Sequence, residues 1–171
     1  MSSVFKKTPD YSLVKSVVSG ILKNNYITSP PINIVKLVQD NYGLNIKFAK
    51  FKDSTICGFL DINEKSIWVN AEDSINRQNF TIAHEFGHWM LHKDDIVKDP
   101  ANYRVLFRQP IGGNKDYRES EANSFAGNLL VPDKMLQICK LAKFNSSQMS
   151  ILFGVSEDVI GYRLQQEGLN D

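Results

Sequence analysis

Residues 81–92 read TIAHEFGHWMLH and hold all three histidines of this 171-residue chain, spaced four apart, with a glutamate between the first two. The stretch from Glu72 to His92 contains no proline and keeps helical spacing throughout, which predicts the longest helix of the chain. On a wheel advancing about 100° per residue, Phe80, Ala83, Phe86, Gly87, Met90 and Leu91 fill one broad apolar arc, and Ile82 and Trp89 extend it. The remaining arc carries Arg77, Gln78, Thr81, His84, Glu85, His88 and His92. A helix greasy on most of its sides has to be packed among other elements, so this segment constrains the fold more than any other.

The ionisable stripe has a chemical reading. His84 and His88 stand at i and i+4, with Cβ atoms on one face roughly 6 Å apart. Two imidazoles at that spacing can converge on one zinc ion at about 2.0–2.1 Å. Glu85 lies about 100° around the helix, too far to join them as a ligand but placed to hydrogen-bond a water at the metal as general base, the H-E-x-x-H arrangement. The competing reading is an ordinary amphipathic helix whose polar stripe faces water. His92, at i+8 from His84, lies about 12 Å up the axis and cannot share the ion. The metzincin pattern needs a glycine three residues after His88, where this chain has Leu91. His92 therefore reads as a structural or supporting histidine.

Composition narrows the partners. Twenty Lys and Arg against 19 Asp and Glu leave a formal charge of +1, which gives no general attraction for nucleic acid or acidic membranes. Cys57 and Cys139 are far apart and form no CxxC pair, so neither a disulfide framework nor a cysteine zinc knuckle is expected. The N-terminal stretch is no signal peptide by pattern: Lys15 interrupts it, while Val14, Val17, Val18 and Ile21 repeat at helical spacing. No run reaches the roughly 18 apolar residues of a membrane span. These features predict a cytoplasmic protein that forms one domain over 1–171.

Along the chain, Pro30 and Pro31 start a second helix that carries Ile32, Ile34, Leu37 and Val38 and stops at Gly43. LNIKFAKF, TICGFLD and SIWVN then read as three strands in a row, which predicts a small antiparallel sheet. A loop is expected from Lys93 to Tyr117, with Pro100, Pro110, Gly112 and Gly113. A helix over 118–131 follows, then a short one begun by Pro132, then a helical hairpin at about 146–167 broken at Gly154. The predicted class is α+β: a small three-stranded antiparallel sheet packed with a helical bundle, around a zincin-like active-site helix.

A catalytic zinc keeps three protein ligands and an open position. Asp94, Asp95 and Asp99 in the expected loop, then Glu119 and Glu121 on the next helix, are the candidates for the third. A loop so soon after His92 reads more simply as solvated. On helix 118–131, Ala122, Phe125, Ala126, Leu129 and Leu130 make the buried face; Glu119 falls inside that arc and Glu121 at its edge, so periodicity does not choose between them. A carboxylate aimed at a core is costly unless paired or bound to metal.

FTIAHEFGHWMLH followed by ESEANSFAGNLLVP resembles the ImmA/IrrE family of cytosolic zinc metallopeptidases, whose second motif places a glutamate directly before Ala-Asn or Ala-Asp and ends in Leu-Leu-x-Pro. The resemblance extends to PPINIVKLVQDNYGLNIKF, ICGFLDINEKSIWVN and LFGVSEDVIGYRL, most of the chain from about residue 30. It implies a gluzincin-like site with His84, His88 and Glu121 as zinc ligands and Glu85 as base. It also implies cleavage, or promoted removal, of a helix-turn-helix repressor of a mobile element, phage or stress regulon. The C-terminal hairpin itself resembles a helix-turn-helix. Its second helix, however, holds Glu157, Asp158 and Glu167 against Arg163, so no direct contact with nucleic acid is expected, and Ile151, Leu152, Val159, Ile160 and Leu164 read as core. The alternatives to a peptidase are a zinc-containing adaptor that binds a repressor without cutting it and a DNA-binding regulator. Tyr103, Arg108 and Tyr117 are candidates for stabilising an oxyanion.

Overall fold

The computed structural model describes residues 8–98, 106–107 and 116–169. Helices α1 (Tyr11–Asn24) and α2 (Ile34–Tyr42) lead into strands β1 (Asn45–Ala49), β2 (Ile56–Asp61) and β3 (Ser66–Asn70). The long helix α3 (Ile75–Lys98), the two-residue strand β4 (Leu106–Phe107) and helices α4 (Tyr117–Leu130), α5 (Asp133–Leu141), α6 (Ser146–Phe153) and α7 (Glu157–Gln166) complete it. The α+β class expected from the sequence is what the chain forms. No helix among the described residues is long and apolar enough to cross a membrane.

Local chemistry explains most boundaries. Asp10, Asn33, Asp116, Asn145 and Ser156 each cap a helix by accepting a backbone N–H with the side chain, and Asn145 and Gln148 close a reciprocal capping box. Gly43 and Gly154 end α2 and α6 with φ of 66° and 67°, a left-handed turn that glycine enters without a Cβ clash. Pro132 stands at the N-cap of α5, as its position predicted.

The sheet corrects one expectation. It has four strands in the order β1-β3-β2-β4, and β1 runs parallel to β3, with Asn45 opposite Ser66 and Ala49 opposite Asn70. Only the β2 pairings, with β3 and with β4, are antiparallel. In β3 Ser66, Ile67, Val69 and Asn70 are all buried, whereas Asn45 and Phe48 of β1 are exposed. A strand buried on both faces belongs in the middle of a sheet, so β3 takes that place and β1 pairs along its remaining edge. Three consecutive strand-like runs carry no information about that order.

The long helix lies across the sheet. Gln78 ties its first turns to the strand that precedes it, donating from Nε2 to the carbonyls of Asn70, Ala71 and Asp73. Gly58 of β2 allows the close approach: a Cβ there would stand 2.4 Å from the Trp68 carbonyl oxygen and 2.6 Å from Thr81 Cγ2. The helix also runs to Lys98, six residues beyond the expected end at His92, so the loop expected from Lys93 is helical in its first turns. Asp99, Pro100, Tyr103, Arg108, Pro110, Gly112 and Gly113 lie outside the described residues.

One contiguous apolar cluster joins Val14, Val18 and Ile21 of α1, Leu37 and Val38 of α2, Ile67 and Val69 of β3, Ile82, Ala83 and Phe86 of α3, Phe125 and Leu129 of α4, and Val159, Ile160 and Leu164 of α7. Ile151 is not in it; its side chain is 80% exposed, against the expectation that it is core. Arg163, the cation of the second hairpin helix, is fully buried instead of facing outward. It donates to the Val131 carbonyl, Gln166 and Glu167 and pairs with Asp133, which locks α7 to the junction of α4 and α5.

Candidate metal centre

The polar stripe of α3 does not face water. Thr81 to His88 are buried without a break, and His84, Glu85, His88 and His92 are each 0–3% exposed. The cover is α4. Small residues let it come close: Ala122 and Ala126 are fully buried, and Gly87 would place a Cβ only 3.0–3.2 Å from the Phe125 ring. Phe86 packs edge-on against the same ring, centroids 5.6 Å apart. Ionisable side chains under a helix need polar partners there, and the first half of α4 supplies them to the three histidines.

His84 Nε2 and His88 Nε2 lie 3.1 Å apart. The Glu119 carboxylate faces both, with Oε2 3.3 Å from His84 Nε2 and Oε1 3.2 Å from His88 Nε2. Asn123, one turn on along α4, places its Oδ1 3.0 Å from His84 Nδ1. An amide oxygen can only accept, so His84 carries its hydrogen on Nδ1 and turns the Nε2 lone pair toward His88 and Glu119. Glu121 points elsewhere: its Oε2 is 2.7 Å from His92 Nε2, and its Oε1 accepts the Asp10 backbone N–H at 2.6 Å. His92 Nδ1 in turn stands 3.1 Å from His88 Nδ1.

The carboxylate brought to the histidine pair is therefore Glu119. Glu121, the expected ligand, sits one layer out with His92, because positions 119 and 121 are about 200° apart on one helix and cannot face the same point. In α3's last turns Asp94 is exposed and Asp95 half-buried, with Asp95 accepting from the Tyr117 hydroxyl at 3.4 Å. Tyr117 also packs edge-on to His92, and of the three candidates for stabilising an oxyanion it alone is described. Sequence reasoning missed Asn123 and Asp10. Asn123 had a readable signal, since it follows Glu119 by one helical turn.

Burial and charge pull the site's proton affinities apart. Burial works against the imidazolium of His84, but the hydrogen bond it donates to Glu119 and the charges of Glu85 and Glu119 outweigh it, so its pKa is raised. Burial dominates at His88 and lowers it to about 4. His92 is also lowered, by burial more than Glu121 restores. Burial opposes ionisation of Glu119, yet the two imidazoles hold its carboxyl far below the ordinary carboxylate range.

The donor set fits a metal. The ligand atoms of His84, His88 and Glu119 all lie within 4.8 Å of one another. Donors of a tetrahedral ion bound at about 2.0–2.1 Å stand about 3.3 Å apart, which is the spacing these three already have. Two neutral imidazoles and a carboxylate on a buried helix pair are ligands of the kind that suits zinc.

The profile of a peptidase family described as the IrrE N-terminal-like domain matches residues 39–165, a span that contains the whole cluster. The chain belongs to peptidase family M78. Within 102 aligned residues it is 31% identical to Metallopeptidase ImmA of Bacillus subtilis (strain 168), an alignment spanning 58% of this chain and 56% of that protein. It is 26% identical over 160 residues, 90% of each chain, to Uncharacterized immunity region protein 2 of Bacillus phage phi105. Among solved structures, it is similar to a Mycobacterium tuberculosis transcriptional regulator with a TM-score of 0.67 at 17% identity, covering 90% of this chain and 46% of that one. At that identity the likeness is one of fold. For this M78 chain the likeness to ImmA covers little more than half of that relative.

Proposed function

We propose that the protein is a zinc-dependent endopeptidase whose metal is held by His84, His88 and Glu119, with Glu85 as the general base. The observation that carries this reading is the convergence of two Nε2 lone pairs and one carboxylate at 3.1–3.3 Å beside a buried glutamate. Zinc in that position would polarise the scissile carbonyl and lower the pKa of the attacking water. Asn123 orients His84 through its Nδ1 hydrogen. Glu119 keeps its negative charge down to low pH, so the ligand set carries one carboxylate throughout the neutral range. Glu85 takes a proton from the attacking water and returns it to the leaving amine.

The substrate we propose is a helix-turn-helix repressor, cut at one or very few bonds. Support comes from the family and from a relative named for a phage immunity region. The hairpin α6–α7 suits docking to a protein better than to DNA, because its second helix opens with Glu157 and Asp158 while Arg163 is turned inward. Incubation of the zinc-loaded protein with a candidate helix-turn-helix repressor from the same genome, followed by mass spectrometry, tests the reading. Defined fragments with the wild type and intact repressor with Glu85→Gln are expected. Binding without cleavage by the wild type would establish the adaptor alternative instead, and a shifted promoter fragment in a gel would support the DNA-binding one.

A further inference from the structure

We propose that His92 and Glu121 are positioning residues for His88, forming a hydrogen-bonded relay that keeps the His88 Nε2 lone pair turned toward the metal. The proposal rests on the zinc reading above and assigns a task to the two buried polar side chains that the ligand set leaves over.

The hydrogens can be placed by elimination. A carboxylate accepts and does not donate, so the hydrogen in the 2.7 Å contact between His92 Nε2 and Glu121 Oε2 is on His92. A neutral imidazole carries one ring hydrogen, so His92 Nδ1 is a lone pair. The hydrogen in the 3.1 Å gap between His92 Nδ1 and His88 Nδ1 then belongs to His88. His88 is left with its lone pair on Nε2, the atom that faces His84 Nε2 at 3.1 Å and Glu119 Oε1 at 3.2 Å. The opposite tautomer would put a hydrogen where a ligand lone pair is needed.

Glu121 is itself held. The Asp10 backbone N–H donates to its second oxygen at 2.6 Å, while the Asp10 side chain caps α1 by accepting from the Leu13 N–H at 2.9 Å. The start of α1 thus anchors the far end of the relay, and His92 and Glu121 are both almost fully buried. His84 reaches the same end through Asn123, so each histidine of the pair has its own orienting group. Outer groups of this kind typically alter metal affinity about 10- to 100-fold.

The test is zinc affinity by chelator competition, with thermal melting of the metal-free proteins alongside, for the wild type, His92→Phe, His92→Gln and Glu121→Gln. His92→Phe fills the same space without an acceptor for the His88 hydrogen and is expected to bind zinc about 10- to 100-fold more weakly. His92→Gln offers a carbonyl oxygen to His88 and an amide hydrogen to Glu121, and is expected to recover most of that loss even where its melting temperature matches that of His92→Phe. Glu121→Gln should fall between them. Wild-type affinity in His92→Phe, or equal loss in His92→Phe and His92→Gln, would overturn the relay and leave the zinc site standing. A wild-type protein that takes up no zinc at all would overturn the metal reading and the relay with it.

Discussion

At the scale of single residues, the site's behaviour with pH follows from which group still holds a proton. His84 has a raised pKa, His88 one near 4, and Glu119 is ionised well below neutrality. Ligands bind zinc deprotonated, so on acidification His84 offers the metal a competing proton before His88 does. Zinc affinity should fall as the pH is lowered, by no more than about tenfold per pH unit, the limit for one competing proton, until His88 begins to protonate, as chelator competition at a series of pH values would measure. A slope of two would place His88 in the same titration. The shared face of His84 and His88 was legible in the sequence because i, i+4 spacing fixes it before any tertiary structure is known. The third carboxylate was not. A helical wheel gives an angle but not the neighbour at that angle; it placed Glu119 inside the buried arc of Ala122 and Ala126, while the family motif pointed to Glu121. The packing of α4 on α3 sets Glu119 against the histidine pair and Glu121 against His92.

At the scale of elements, the centre exists because α3 and α4 come unusually close, and Gly87 is where that closeness is decided. A Cβ at 87 meets Phe125 at 3.0–3.2 Å, in a core where that ring is fully buried and cannot swing aside freely. Gly87→Ala should therefore lower stability by about 1–3 kcal/mol, the usual cost of overpacking, and should weaken zinc binding by pushing Glu119 away from the pair. Thermal melts with and without zinc would show both; an unchanged melting temperature would mean that the ring yields without cost. The capped helix ends were readable, since caps and glycine stops are local chemistry. The strand order was not, because parallel pairing of β1 with β3 depends on which strand ends up buried on both faces.

At the scale of the whole molecule, one apolar cluster runs from α1 to α7 with the polar centre enclosed between α3 and α4. An enclosed centre favours a substrate that is presented to it over one met at random. The zinc-loaded protein should leave casein nearly intact under conditions where its cognate repressor is cut, with fragments followed by mass spectrometry; rapid digestion of casein, abolished in Glu85→Gln, would keep the peptidase and remove the regulatory role. All of this chemistry depends on the ligand set. Zinc per chain, measured by elemental analysis after dialysis against a weak chelator, should be about one in the wild type and lost in His88→Ala and Glu119→Ala, because two remaining ligands grip weakly. Glu121→Ala should load to about one zinc per chain when the metal is supplied in excess. Full zinc in Glu119→Ala together with none in Glu121→Ala under that excess would contradict the account.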